Sequence, residues 1–331
     1  EYELQSATLL AWPHAQTDWH DRLALIRSEY ELFILLILDH QPVLLLKDSR
    51  DPDPLPQSLQ NQPKLTVLPV SFDDTWARDF GPISQVKDGR LRLLDFKFNA
   101  WGKPYSNQRD DQVSAQIAKH EKTKAVLGEF ELVPVDFVLE GGAIESNGAG
   151  SLLINWHCFE KRHPSLDRGQ VTQALSKHLG SQEIVGIDLP PHSGDDTDGH
   201  IDTFARFLAP DVIAVQTLGD SHKNQTLIDQ IHALTITHPQ KGPIKPSVIK
   251  LPAINIVSDL PANYVNFLLV NNGCLVPTYG LPSDQIAISL LSEVFPNRQV
   301  RGVPCNQMIT QFGGLHCASM HFTKPIQTQR P

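Results

Sequence analysis

The strongest constraint on this chain is a set of five short polar motifs that recur at nearly even intervals, each carrying one residue able to do chemistry. Trp-Ala-Arg-Asp ends at Asp79, Leu-Glu-Gly-Gly carries Glu140, His-Ile-Asp ends at Asp202, Tyr-Val-Asn carries Asn266 and Leu-His-Cys ends at Cys317. The intervals between these residues are 61, 62, 64 and 51. Each of the first four is followed within about a dozen residues by an apolar, strand-like run, whereas the last lies near the chain end. A fixed period with one polar residue per repeat points to radial repetition about an axis. Coincidence stays open on four spacings alone.

Between the motifs, strand-like and helical patterns alternate, which is the signature of an α/β fold. Strands are expected at Pro42–Leu46, Leu91–Phe98, Ser151–Asn155, Val212–Gln216 and Phe267–Pro277, the last with a turn at Asn271–Gly273. Helices are expected at Ala24–Leu38, Gln112–Lys119, Arg168–Leu179 and Asp284–Val294. Pro52–Pro63 and His238–Pro246 read as loops because proline and glycine punctuate them.

Size and charge narrow the function. With 331 residues, 40% hydrophobic and 20% charged, the chain suits one large or two modest soluble domains. A net charge of −9 argues against a nucleic-acid surface and fits a small cationic partner, though most surface charge only solubilises. Cys158, Cys274, Cys305 and Cys317 form neither a paired metal motif nor a disulfide framework, so a reducing, cytoplasmic setting is expected. The apolar run Leu32–Leu38 is far too short for a bilayer span and reads as the buried part of a helix starting near Asp21. No secretory n-region or h-region precedes it, and a processed leader or a missing N-terminal segment stays open.

The richest group of ionisable residues is Gly194-Asp195-Asp196-Thr197-Asp198-Gly199-His200-Ile201-Asp202. In strand geometry His200 and Asp202 would share a face. An acidic turn with a surface histidine, or a metal site, would look similar, but neither an EF-hand loop nor an HExxH element is present. Asp79-Phe80-Gly81 spells a kinase triplet without the catalytic or phosphate-binding loops a kinase needs. Taken singly, Trp76 reads as core, Asp79 as a turn or a partner of Arg78, Glu140 as a solvent-facing turn, Asn266 as a strand-edge residue and Cys317 as a packed thiol. Taken together they supply one cysteine, one histidine and several carboxylates. That is the minimum set for cleaving a guanidinium C–N bond. The planar cation needs carboxylates to hold its fork of N–H donors, a soft nucleophile and a proton donor for departing ammonia.

The motifs occur in order along almost the whole chain: Leu10-Ala11-Trp12-Pro13-His14, Asp74 to Pro82, Phe98-Asn99-Ala100-Trp101-Gly102, Leu139 to Gly142, Gly194 to Phe207, Leu260 to Phe267, Val276 to Gly280 and Gly314 to Cys317. In this colinear set the chain resembles the agmatine deiminase family of the guanidine-modifying superfamily, which is similar to the bacterial-type peptidylarginine deiminases. One departure stands at Gly313-Gly314-Leu315-His316-Cys317, where many relatives have Gly-Asn-Ile-His-Cys, so the wall beside Cys317 is not carried over.

The resemblance implies a single domain over residues 1–331, a pentein-type five-bladed α/β propeller with pseudo-fivefold repeats around a central active-site channel. It implies that Cys317 is the nucleophile and His200 the general acid/base, that Asp79 and Asp202 clamp the guanidinium, and that Glu140 supports the substrate or the histidine. Trp76 would cover the alkyl chain or the guanidinium face, Asn266 would line the channel, and Asp196 and Asp198, with Asp195, would meet the distal amine. The implied substrate is agmatine, converted to N-carbamoylputrescine in putrescine and polyamine biosynthesis, with no metal, cofactor, nucleic acid or membrane and with a possible homodimer. Peptidyl-arginine or free arginine is the alternative substrate. A metal-dependent hydrolase and a non-catalytic binding propeller are the remaining readings.

Overall fold

The computed structural model describes residues 1–254 and 260–325 and contains α-helices and mixed sheets in alternation. Cα packing divides the chain into two compact units. The first comprises residues 1–141, 268–275 and 315–325, the second 142–254, 260–267 and 276–314.

The core of the first unit is a four-stranded sheet in the order Ser319–Thr323, Gln5–Ala11, Val43–Lys47, Leu65–Pro69. Gln5–Ala11 runs antiparallel to Ser319–Thr323 and parallel to Val43–Lys47, which is parallel to Leu65–Pro69. Val43, Leu44, Leu45 and Leu46 are all fully buried, as expected for a parallel strand covered on both faces. Each such side chain contributes roughly 1.5–3 kcal/mol of burial. The helix Leu23–Leu38 connects the first two parallel strands. Its buried Ile26, Tyr30, Phe33, Ile34 and Ile37 recur at helical spacing and form the apolar stripe that the sequence indicates. A second sheet pairs Ile83–Lys87 with Arg90–Lys97 across an Asp88-Gly89 turn, both residues at positive φ as a tight hairpin requires. Phe130–Val138 then lies parallel to Arg90–Lys97.

The second unit repeats this pattern. Ile144–Ser146 and Ser151–Asn155 form a hairpin, the helices Trp156–Arg162 and Arg168–Leu179 follow, and Glu183–Ile187 pairs parallel to Ser151–Asn155. Ala205–Ala209 and Val212–Gln216 form the next hairpin, followed by the helix Ser221–Ala233 and the parallel strand Ser247–Leu251. Residues Leu268–Val270, Gly273–Thr278, Pro282–Val294 and Gln299–Pro304 repeat the hairpin, helix and strand order, beginning in the first unit and ending in the second.

The recurring module explains the motif spacing. Asp79, Glu140, Asp202, Asn266 and Cys317 each stand two to four residues before a strand of an antiparallel pair, which is a hairpin in the first four cases. For Cys317 that strand is Ser319–Thr323, which pairs with Gln5–Ala11 from the other end of the chain, so the last motif too is followed by a strand. Two further expectations change. Within His238–Pro246, expected to be a loop, Gly242–Ile244 pairs with Ile236–His238 as a short antiparallel hairpin, with Gly242 at positive φ. His200 and Asp202 do not lie on a strand. Asp198 and Gly199 take positive φ, the chain turns, and Ile201–Thr203 forms a 3-10 turn closed by Thr203 Oγ1 donating to the His200 carbonyl. No helix among the described residues is long and apolar enough to cross a membrane.

Candidate active site

In the first unit three motifs converge on Arg78. Trp76 immediately precedes the one-turn helix Ala77–Phe80, which carries Arg78 and Asp79. The Arg78 backbone N–H donates to the Cys317 carbonyl at 3.1 Å, placing the aspartate motif against the cysteine motif. Gly141, directly after Glu140, meets the Arg78 carbonyl so closely that a Cβ there would lie 2.3 Å from the oxygen. The glycine in Leu-Glu-Gly-Gly is therefore a close-approach position, and it brings Glu140 beside the same segment. Asp79, Glu140 and Cys317 are all buried.

Asp79 is held by a residue to which sequence reasoning gave no role. Trp101 Nε1 donates to Asp79 Oδ2 at 3.0 Å. Ala100 and Trp101 both sit at positive φ, 51° and 55°. Left-handed backbone is costly for a bulky residue and persists only where its surroundings impose it. Asn99 helps impose it here, its side chain accepting the Gly102 N–H at 3.0 Å. The ring of Trp76 is buried, 6.0 Å from that of Trp19.

The second unit carries His200, Asp202 and Asn266, all buried. Asn266 Nδ2 donates to Asp202 Oδ2 at 3.3 Å, and the Asn266 backbone N–H donates to Asn263 Oδ1 at 2.9 Å. The departure at Gly314 has a physical cause at this point. A Cβ on Gly314 would sit 2.5 Å from Asn266 Oδ1, so the asparagine side chain takes the space that a larger residue would occupy. Gly314→Ala is expected to destabilise the fold by about 1–3 kcal/mol through overpacking. An unchanged thermal midpoint would show that Asn266 moves aside at no cost.

The acidic loop is largely committed to itself. Asp198 Oδ2 pairs with Arg162 Nη1 at 2.7 Å, and Arg162 Nη2 donates to the Thr197 carbonyl at 2.6 Å. Asp195 Oδ1 accepts both the Thr197 N–H, at 2.7 Å, and its hydroxyl, at 2.6 Å. These bonds fix the turn that delivers His200, whose N–H donates to Thr197 Oγ1 at 3.1 Å. His192 stacks on Phe204 at 4.0 Å, and burial pushes its imidazole below the usual range, favouring a neutral ring. Asp196 lies on the same loop, half-buried.

A family model described as the Porphyromonas-type peptidyl-arginine deiminase matches residues 1–322. The chain belongs to this family. Among relatives of this chain, the agmatine deiminase of Stutzerimonas stutzeri (strain A1501) is 30% identical, with 98% of this chain and 95% of that protein covered. A C. jejuni agmatine deiminase, solved as a cysteine-to-serine variant with substrate bound, is 30% identical at a TM-score of 0.85, covering 99% of this chain and 96% of that one. A structure provisionally named as a peptidyl-arginine deiminase is 35% identical at a TM-score of 0.86, covering 98% of this chain and 97% of that one. DDAH from Pseudomonas aeruginosa, 14% identical at a TM-score of 0.54 over 96% of this chain and all of that one, shares the fold alone. The likeness to agmatine deiminases read from the motifs thus extends over the full described fold.

Proposed function

We propose that this chain is an agmatine deiminase that hydrolyses the substrate guanidinium to a ureido group, releasing ammonia and N-carbamoylputrescine. The observation that carries the reading is the full-length likeness to agmatine deiminases in a chain that carries Cys317, His200, Asp79, Asp202 and Glu140, all of them buried. In the same proposal, five modules of an antiparallel strand pair, helix and strand are arranged as a five-bladed propeller in one domain.

In this reading Cys317 attacks the guanidinium carbon as a thiolate. A free thiol ionises near pH ~8.5, so a positive charge from His200 or the bound substrate must favour the anion. Asp79 and Asp202 hold the guanidinium fork, which lowers the entropic part of the barrier. His200 gives a proton to the departing nitrogen, ammonia leaves, and an amidino-thioether remains on sulfur. Water then adds to the same carbon while His200 takes its proton. Collapse breaks the C–S bond and returns the thiolate. Glu140 supports the substrate or the histidine, Trp76 covers the alkyl chain, and Asn266 orients Asp202. Asp196 meets the distal ammonium, with Asp198 holding the loop through Arg162.

The deciding assay is ammonia release from agmatine, arginine and a blocked arginyl peptide. Turnover of agmatine alone supports the assignment. Preference for arginine or the peptide moves the protein to the neighbouring activity with the same chemistry. Trp101→Phe keeps an aromatic ring and removes the donor to Asp79. A hydrogen bond to a charged group contributes about 1.5–3 kcal/mol, so kcat/KM for agmatine is expected to fall about tenfold or more. Unchanged steady-state constants would remove Trp101 from the site.

A further inference from the structure

The first residue of the chain reaches the segment that presents Cys317. Glu1 Oε1 lies 2.8 Å from His316 Nε2, 3.1 Å from Arg78 Nη1 and 3.3 Å from His321 Nδ1. The side chains of Glu1, Arg78 and His316 are 10%, 4% and 1% exposed, so the charges of Glu1 and Arg78 meet with little screening. Burial pushes the His321 imidazole down to about 4 despite the adjacent carboxylate, whereas the Arg78 guanidinium beside Glu1 is permanently charged.

Arg78 passes this anchoring on. Its Nε donates to the His316 carbonyl at 3.2 Å, and its backbone N–H donates to the Cys317 carbonyl at 3.1 Å. Ser319 closes the turn from the other side, its N–H donating to the same His316 carbonyl at 3.1 Å and its hydroxyl to the Leu315 carbonyl at 2.7 Å. One carboxylate therefore fixes both the imidazole of the residue before Cys317 and the guanidinium that grips its peptide. No step of the proposed reaction uses Glu1 or His316.

We infer that Glu1 is a positioning residue for the nucleophile, locking His316 and Arg78 and through them the backbone that aims the Cys317 sulfur. The inference rests on Cys317 being the nucleophile. A displaced attacking atom loses rate without losing the substrate contacts made elsewhere, and a misplacement of ~1 Å costs about 10²-fold. Glu1→Ala and Glu1→Gln in the full chain are expected to lower kcat for agmatine by about 10- to 100-fold while KM stays within about threefold. Glu1→Asp, which keeps the charge, is expected to recover part of the loss.

Alkylation by chloroacetamidine, with the modified residue located by mass spectrometry, supplies a second readout. The rate at Cys317 is expected to fall in parallel with kcat in the Glu1 variants. Wild-type kcat and wild-type labelling in Glu1→Ala would overturn the inference. So would a fall in kcat that only tracks the unfolded fraction in a thermal melt and is not relieved by Glu1→Asp. Wild-type protein that fails to label at Cys317 would instead overturn the nucleophile assignment, and this inference with it.

Discussion

Cys317→Ala is expected to abolish ammonia release from agmatine, a loss of about 10⁴-fold or more, because covalent catalysis has no substitute once its nucleophile is removed. Cys317 is the last of the five motif residues and is buried, with its own carbonyl bonded to the Arg78 N–H. Cys158, Cys274 and Cys305 are buried as well, and none of them stands at one of the five motif positions. Cys274 and Cys305 serve as internal controls, since Cys274→Ala and Cys305→Ala should each retain activity to the extent that the fold survives. Because alanine only shortens the side chain, agmatine should still bind, and calorimetric titration of Cys317→Ala separates lost chemistry from lost binding. Retained turnover in Cys317→Ala would sink the covalent scheme and return attention to the acidic loop.

Local signals are legible where one segment carries all its own information. Helix Arg168–Leu179 has the bounds its sequence suggests because Asp167 and Gln170 cap its start reciprocally and Gly180 ends it in left-handed geometry. The motif period is legible because each of the five motif residues stands just before a strand of an antiparallel pair. What escaped depends on partners distant in sequence or on special backbone geometry. Trp101 lies 22 residues from Asp79, and its role requires two consecutive non-glycine residues at positive φ, which no propensity indicates. The turn at Asp198-Gly199 removed His200 and Asp202 from the strand that their spacing suggested. Glu1 and His316 are 315 positions apart, so only the folded sheet that pairs the two ends of the chain could bring them together.

Arg206→Met is expected to cost about 3–5 kcal/mol of stability, because it strands a buried carboxylate. Arg206 is fully buried and its Nε donates to Glu145 Oε2 at 3.0 Å, while Glu145 Oε1 accepts the Phe207 N–H at 3.1 Å. Its Nη1 donates to the carbonyls of Phe267, at 2.5 Å, and Val265, at 3.4 Å, and the guanidinium lies 4.5 Å over the Phe267 ring. Those two carbonyls flank Asn266, so the same side chain that neutralises Glu145 also fixes the peptide aiming the asparagine at Asp202. Two consequences can be separated. Urea denaturation should show the stability loss in Arg206→Met, and adding Glu145→Leu should restore only part of it. The double variant removes the stranded charge but leaves the Phe207 N–H and both carbonyls without their partners. A double variant no more stable than the single one would show that the loss comes from those backbone groups and not from the charge. If folded Arg206→Met then binds agmatine as tightly as wild type, Asn266 does not depend on this anchor. A raised KM in the folded protein would tie the ion pair to the placement of Asp202 as well as to the stability of the fold.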